Sequence, residues 1–176
     1  MKPLTRKFYA RKAEIVSKDL LGKILMRKYK GKILKAKIVE TEAYYGREDP
    51  ASRACKNGDI RETMLARPGT ILVYGVHNNW LINIVTGKKE KAEAVLLRAI
   101  EPINFHADMR GPGKLTKAMH IEKKFHNKDI TNCKELLITE GKKPRKIVSS
   151  HRIGIKKDLP KNLRFYIEKN KFVSKL

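Results

Sequence analysis

One stretch, residues 31–46, constrains the fold more than any other part of this 176-residue chain. It is rich in residues that suit a pleated surface, and it predicts one long β-strand. An apolar face that ends in two carboxylates and a tyrosine indicates a strand that runs from a core into a site, although the same pattern also fits a strand end whose carboxylates are simply solvated. Because strand side chains alternate, that face carries, in order, Leu34, Ala36, Ile38, Glu40, Glu42 and Tyr44.

The charge balance points to the kind of partner. The chain contains 41 Lys and Arg against 18 Asp and Glu, a formal net charge of +23. Such an excess favours a polyanion, either nucleic acid or an anionic membrane surface. The membrane alternative is weak, because no apolar run approaches the roughly 18 residues that span a bilayer, and the N-terminus lacks the apolar segment of a signal peptide. We therefore expect an intracellular protein, either cytoplasmic and nucleoid-associated or nuclear.

Length and cysteine usage bound the architecture further. A chain of this length buries one sizeable core, and it shows no internal repeat or low-complexity linker, so we expect one domain over residues 1–176. Cys55 and Cys133 lie far apart, with no CxxC pair or nearby histidine in metal-ligand spacing. We expect reduced thiols, no structural zinc and no other metal site, in a protein that acts as a monomer.

The remaining patterns predict mostly strands. Residues 12–21 predict a helix, and residues 23–29 predict a strand that forms a hairpin with the long one. Asp49-Pro50 predicts the cap and first position of a short helical turn, in a polar segment, residues 47–67, that could wall a pocket. The other predicted strands are an antiparallel meander at 70–76, 80–85 and 92–100, followed by 134–139, 146–149, 152–155 and 163–168.

Three polar features stand out against this framework. Asn83 and Arg98 each interrupt an apolar strand, so each is either on a solvated face or buried with dedicated partners. For Arg98 the candidate partners are Glu42 and Glu40. The third feature is the glycine-rich entry to a short amphipathic helix, where Lys114 and exposed backbone amides could contact a phosphate; alone, it also fits a plain helix start.

Several segments together carry a family resemblance. In order and approximate spacing the chain resembles the 3-methyladenine (alkyladenine) DNA glycosylases of the type without a helix-hairpin-helix. The resemblance runs from Leu4 almost to the C-terminus, and it implies a mixed α/β domain with a curved antiparallel sheet, short flanking helices and no cofactor. The segments that carry it are Ile38-Val39-Glu40-Thr41-Glu42-Ala43-Tyr44, Pro68-Gly69-Thr70 with Val73-Tyr74, Leu96-Leu97-Arg98-Ala99-Ile100-Glu101-Pro102, Gly111-Pro112-Gly113-Lys114-Leu115, Arg152-Ile153-Gly154-Ile155 and Leu163-Arg164-Phe165-Tyr166.

The resemblance also implies an activity: the enzyme flips a damaged purine out of double-stranded DNA and hydrolyses its N-glycosidic bond. Glu42 resembles the residue that activates the water, and Arg98 and the backbone carbonyl of Ile153 resemble groups that hold that water. Tyr44 and Tyr74 resemble the two rings that sandwich the flipped base. Asn83 resembles the residue that excludes guanine by crowding its exocyclic amino group.

The sequence departs from the family pattern at two places. Arg53 stands where a pocket-lining histidine is usual, after Asp49-Pro50-Ala51-Ser52. The hairpin tip that usually carries an intercalating tyrosine contains His77 and Asn78 and is about one residue shorter. We expect His77 to fill the gap left by the flipped nucleotide, with Asn78 reaching phosphates or base edges; the alternative is an ordinary solvated turn.

Two other functions fit part of these observations. A non-catalytic nucleic-acid-binding protein explains the basic charge, but gives no reason for Glu42, Tyr44 and Arg98 in apolar strands. An RNA-modifying enzyme, or its binding domain, would use a similar basic surface and aromatic slot. Release of a damaged base from a DNA duplex separates the predicted activity from both.

Overall fold

The architecture is an antiparallel sheet with short helices. The computed structural model describes residues 2–175, so residues 1 and 176 of the predicted domain lie outside the described part. Within residues 2–175 the chain forms eight strands: β1 (Ile24–Tyr29), β2 (Lys32–Tyr44), β3 (Ile71–Val76), β4 (Asn79–Val85), β5 (Ala94–Pro102), β6 (Leu136–Thr139), β7 (Ile147–Ser150) and β8 (Arg164–Ile167). The α-helices are α1 (Arg6–Tyr9), α2 (Ala13–Leu20), α3 (Asp59–Met64) and α4 (Pro112–Ala118), with single 3-10 turns at Arg53–Cys55 and Lys123–Phe125.

The long strand β2 organises the sheet, as its sequence predicts. The strand order is β3-β4-β5-β2-β1-β6, every pair is antiparallel, and β8 joins β2 to β7. Along one edge β2 pairs with β5 from Ala36 to Tyr44. Along its other edge the partner changes from β1 to β8, so the sheet divides there and curls. The predicted mixed α/β fold with a curved antiparallel sheet is confirmed.

A bulge lies where β2 enters the carboxylate segment. The pairing runs from Ile38 with Ile100 to Glu40 with Ala99 and then to Thr41 with Leu97, which skips Val39 on β2 and Arg98 on β5. A bulge bends the strand and re-aims a side chain that would otherwise follow the alternation. The bulge is therefore the local reason that Arg98 can turn towards the carboxylates of β2.

Helix α2 covers the opposite face of β2. The hydroxyl of Thr41 is buried and donates to the carbonyl of Ser17 at 2.9 Å, which satisfies a polar group inside the main core. A second, smaller apolar cluster lies beneath α3 and the 3-10 turn that precedes it; its members are Ala54, Met64, Leu72, Val85 and Ala94. The bulge shifts the alternation by one residue, because Ile38 before it and Ala43 after it both belong to the main core. The predicted single face that runs from the apolar residues into the two carboxylates is therefore wrong, and the carboxylates lie on the other face of β2.

Two predicted elements are wrong. Asp49 does not cap a helix that starts at Pro50; its carboxylate accepts the amides of Ala51 and Tyr45, which closes a tight turn. Residues 152–155 form a turn and not a strand. In both places a buried ion pair, between Asp49 and Arg152, decides the backbone path.

Candidate active site

Glu42 is fully buried, and polar groups from three parts of the chain surround its carboxylate. Oε1 accepts the Ile153 amide at 2.9 Å, and Oε2 accepts the Tyr44 hydroxyl at 2.8 Å. Burial raises the pKa of Glu42 above its ordinary value and the nearby Glu40 raises it too, while Arg98, the Ile153 amide and the Tyr44 hydroxyl oppose that rise. A raised pKa makes Glu42 a better base than a solvated carboxylate.

Arg98 lies between two carboxylates. Its Nε is 3.3 Å from Oε1 of Glu40 and 3.5 Å from Oε1 of Glu42, so both predicted partners are found. Within residues 2–175 this buried nitrogen has no partner in hydrogen-bonding geometry. Such a group is costly to bury, and its charge remains available to a ligand near Glu42.

Ile153 contacts Glu42 through a backbone group that the sequence did not predict. Its amide, and not the carbonyl that the resemblance implies, contacts Glu42. The preceding residue, Arg152, fixes this turn: its guanidinium binds the buried Asp49 through two 2.7 Å hydrogen bonds and also contacts Asp158. The role of the Ile153 carbonyl as a water ligand stays a prediction.

Arg152 also supports an aromatic residue of the site. Its Cζ lies 4.5 Å from the centroid of the Tyr44 ring, so one face of that ring is already covered. A flipped base could stack only on the other face. Burial raises the pKa of the Tyr44 hydroxyl well above its usual range, so this group stays a hydrogen-bond donor to Glu42 at neutral pH.

A narrow cleft lies beside Glu42 and contains all four predicted base-binding residues. Its volume is about 10 Å³, too small for a purine, so a base can enter only if the walls separate. The lining residues are Tyr44, Ser52, Arg53, Ile60, Met64, Leu72, Tyr74, Asn83 and Ala94. The polar segment at 47–67 therefore supplies one wall, as its position after β2 predicts.

Asn83 and Arg53 occupy different environments in this cleft. Asn83 is buried, with its amide 3.5 Å from the Leu72 carbonyl, which excludes the solvated alternative. Arg53 is exposed and places Cζ 5.6 Å from the centroid of the Tyr74 ring. Burial raises the pKa of Tyr74, while the charge of Arg53 and the Asn83 amide oppose that rise.

The β3–β4 hairpin ends in an exposed two-residue turn. His77 and Asn78 both have positive φ, 46° and 59°, as a type I′ turn requires. The Asn79 side chain donates to the His77 carbonyl at 2.8 Å and locks the turn. The start of α4 packs here, since a Cβ on Gly113 would lie 2.8 Å from the Asn79 side chain.

Lys114, the remaining predicted DNA contact, lies near this hairpin on α4. Its ammonium group pairs with Asp108 at 2.8 Å and is largely exposed. Arg110 binds the same carboxylate at 2.9 Å. The tip and this cluster thus lie at one end of the meander, while Glu42, Arg98 and Ile153 lie together beneath the cleft.

Sequence reasoning missed the groups that hold the site in place. Arg152 lies inside a segment that carries the family resemblance but has no assigned role there, and Asp49 was assigned only as a helix cap. Two other missed groups, Arg164 and Ser174, bind Glu40, at 2.7 Å and 2.9 Å to Oε1. A signal was present for Arg152, since it is an ionisable residue directly before Ile153 of the predicted site.

Comparison with known proteins matches this chain to one family over nearly its whole length. The family model described as Methylpurine-DNA glycosylase (MPG) matches residues 7–171. The chain is 43% identical to a protein of Carboxydothermus hydrogenoformans over 98% of both chains. It is 38% identical to one of Aeropyrum pernix, over 98% of this chain and 93% of the relative, and 40% identical to one of Clostridium novyi, over 99% and 100%. All three are named "Putative 3-methyladenine DNA glycosylase". The chain belongs to the methylpurine-DNA glycosylase family.

Proposed function

We propose that this protein is a monofunctional DNA glycosylase of base-excision repair that hydrolyses the N-glycosidic bond of alkylated or deaminated purines. The observation that carries the proposal is the buried Glu42, whose carboxylate lies beside an unsatisfied arginine nitrogen and an aromatic cleft. A purely DNA-binding protein gains nothing from a buried carboxylate with a raised pKa. The non-catalytic alternative therefore explains the charge of the surface but not this site.

Glu42 acts as the general base. A water held between its Oε1 and the Arg98 guanidinium gives a proton to the carboxylate as its oxygen attacks C1′ of the sugar. The bond from C1′ to the purine nitrogen breaks, and its electron pair leaves with the base. Positive charge develops on the sugar during this step, and the carboxylate stabilises it. A cationic methylated purine leaves as a neutral base, whereas a neutral purine such as hypoxanthine leaves as an anion and takes up a proton from solvent, to which Glu42 returns its own. The products are a free purine and an abasic site, with no covalent bond to the protein.

The cleft selects the base. Tyr44 and Tyr74 separate and stack on the flipped purine, which offsets the few kcal/mol of unstacking. Asn83 is fixed among buried groups, so its amide cannot move away from a substituent on the purine. This rigidity fits a role in excluding guanine, whose exocyclic amino group has no space beside it.

The duplex is held by phosphate contacts and by the hairpin tip. The net charge of +23 supplies a sequence-independent and salt-dependent attraction, to which Lys114 contributes. His77 enters the gap left by the flipped nucleotide and Asn78 contacts the adjacent backbone. Replacing His77 by Ala should reduce the signal of a fluorescent base analogue that reports flipping, whereas an unchanged signal would make the tip an ordinary solvated turn.

The test is base release from a panel of duplexes. Each duplex carries one 3-methyladenine, hypoxanthine or etheno adduct, and alkali cleaves the strand where an abasic site has formed. We expect cleavage at one or more lesions, none in the undamaged duplex, and a strongly reduced rate with Glu42→Gln. Tight binding without cleavage at any lesion would support the non-catalytic alternative. Release of a free purine from an RNA duplex, measured without alkali, with none from DNA would support the RNA-modifying one.

A further inference from the structure

Glu40 is a second buried carboxylate, two residues before Glu42 on the same strand face. Three hydrogen bonds hold it: Oε1 accepts Arg164 Nε at 2.7 Å and the Ser174 hydroxyl at 2.9 Å, and Oε2 accepts the Ser174 amide at 2.7 Å. A buried carboxylate is costly unless its lone pairs are satisfied, and this one is. Its remaining neighbour is Arg98, with Nε 3.3 Å from Oε1.

The C-terminal segment supplies this arrangement. Ser174 follows β8 by seven residues, and Arg164, within β8, also donates through Nη2 to the carbonyl of Lys175. The segment is therefore fastened to the guanidinium that binds Glu40. These contacts fix the position of the Glu40 carboxylate that Arg98 meets, and they occupy part of its hydrogen-bonding capacity.

Arg98 stays outside hydrogen-bonding geometry with Glu42. An arginine beside one buried carboxylate closes to a hydrogen bond of about 2.7–2.9 Å, which occupies the oxygen it binds. Here the nitrogen stays 3.5 Å from Oε1 of Glu42 and forms a hydrogen bond to neither carboxylate among the described residues. Among residues 2–175, Oε1 of Glu42 then has only the Ile153 amide as a close donor, which leaves room for one more.

We propose that Glu40, held by Arg164 and Ser174, is a positioning residue that draws Arg98 away from Glu42 and so keeps Oε1 of Glu42 free to bind the attacking water. The inference rests on the proposed function. Glu40 does not touch the substrate; it sets the distance between the cation and the base.

The pH dependence of base release reports this distance. The groups that face Glu42 are Glu40 and Tyr44 on β2, Arg98 on β5, the Ile153 amide, and Tyr74 on β3, while Arg164 on β8 is bound to Glu40. Burial is the largest cause of the raised pKa of Glu42, Glu40 adds to it and Arg98 opposes it. Loss of Glu40 lowers this pKa twice, because the repulsion disappears and Arg98 moves closer.

Two variants shift the acid limb of the single-turnover pH–rate profile in opposite directions. Glu40→Gln should move the limb to lower pH and reduce the plateau rate by about tenfold or more, since Arg98 occupies the water position. Ser174→Ala keeps the charge but removes one donor from Oε1 of Glu40, so Arg98 moves towards Glu40 and the limb moves to higher pH. General loss of structure would lower the rate without opposed shifts.

The outcomes separate the two proposals. A wild-type protein that releases no base overturns the proposed function and this inference with it. An active wild type whose acid limb stays in place in both variants overturns the inference alone. If Glu40→Gln does not fold, Ser174→Ala still decides: a limb at higher pH with unchanged duplex affinity supports the positioning role, and an unmoved limb contradicts it.

Discussion

Two arginines lie near Glu42, the buried Arg152 and the half-buried Arg98, and their surroundings differ. The Arg152 guanidinium makes two 2.7 Å hydrogen bonds with Asp49, binds the Ala43 carbonyl at 2.9 Å and contacts Asp158. Arg98 has two carboxylates nearby, at 3.3 Å and 3.5 Å, and forms a hydrogen bond with neither in the part of the chain that the structure describes. One cluster is complete without a ligand, and the other is not.

This difference distinguishes an arginine that stabilises the structure of the site from one that can take part in the reaction. A satisfied buried pair fixes backbone, and Arg152 fixes the turn that presents the Ile153 amide. An arginine without hydrogen-bond partners can still interact with a ligand that binds later. Its charge is already in place in a dry site, so it stabilises a reacting atom without any rearrangement of the protein. The comparison predicts that damage to the Arg152 cluster lowers stability, while damage around Arg98 lowers the rate.

The largest expected effect is on the rate. Glu42→Gln should reduce single-turnover base release roughly 10² to 10⁴-fold, the contribution of a general base, and leave duplex affinity nearly intact because the phosphate contacts lie elsewhere. Both quantities are measured on one lesion duplex. A variant that retains more than a tenth of the wild-type rate would remove Glu42 from the reaction.

The next effect is on the stability of the protein, and it tests the Arg152 cluster. Asp49→Asn keeps the shape of the side chain but breaks the buried pair with Arg152, which should reduce the free energy of unfolding by about 3 kcal/mol. Denaturant titration measures it. The control is Asp19→Asn, whose pair with Arg11 is exposed and should contribute close to nothing. Equal losses in the two variants would show that the Arg152 cluster has no special structural role.

A smaller effect concerns the contribution of the Glu42 carboxylate to the stability of the protein at different pH values. The folded state raises the pKa of Glu42 above the ordinary 4.5, so the folded state binds more protons than the unfolded one between the two values. Wild-type stability therefore falls as pH rises from about 4.5 through the raised folded pKa, and the loss is complete above it. Glu42→Gln should be more thermostable than wild type at neutral pH, and the difference should vanish near the ordinary value. A variant that is less stable at neutral pH would mean that ionised Glu42 stabilises the fold.

The sequence predicts the fold well where local patterns decide it. Strand alternation identified β2 and the shared position of Glu40, Glu42 and Tyr44, and the meander of β3, β4 and β5 followed from short apolar runs separated by turns. The family resemblance supplied the roles of Glu42, Arg98 and Asn83. The structure places these residues together, while the roles themselves remain proposals.

What the sequence did not predict depends on contacts between distant residues. Asp49 meets Arg152 across 103 positions, and Glu40 meets Ser174 across 134, so no local pattern reports either contact. These pairs overrode local preference, because the strand pattern at 152–155 and the capping pattern at Asp49 both gave way to the buried ion pair. The bulge at Arg98 is invisible for the same reason, since it depends on the register between β2 and β5.

The smallest expected effect belongs to a third arginine, Arg53, which is exposed at the cleft. The sequence also allows Arg53 to turn outwards to a phosphate or to pair with Glu48 or Asp49. The pair with Asp49 is wrong, because Arg152 occupies both oxygens of that carboxylate. Within residues 2–175 Arg53 forms no ion pair, and its guanidinium lies near the Tyr74 ring. Since an arginine only donates hydrogen bonds and keeps its charge, it should favour a purine with an acceptor at position 6, such as hypoxanthine, over a cationic methylated purine.

Replacing Arg53 by His tests this preference. The ratio of 3-methyladenine to hypoxanthine cleavage should rise about twofold to fivefold, because an exposed cation beside an aromatic ring contributes roughly 0.5–1 kcal/mol. Arg47→His is the matched control, since Arg47 is also exposed but hydrogen-bonds Asn57 at 2.7 Å and does not line the cleft. If Arg53→His changes the ratio of 3-methyladenine to hypoxanthine cleavage no more than Arg47→His does, Arg53 does not contact the bound base.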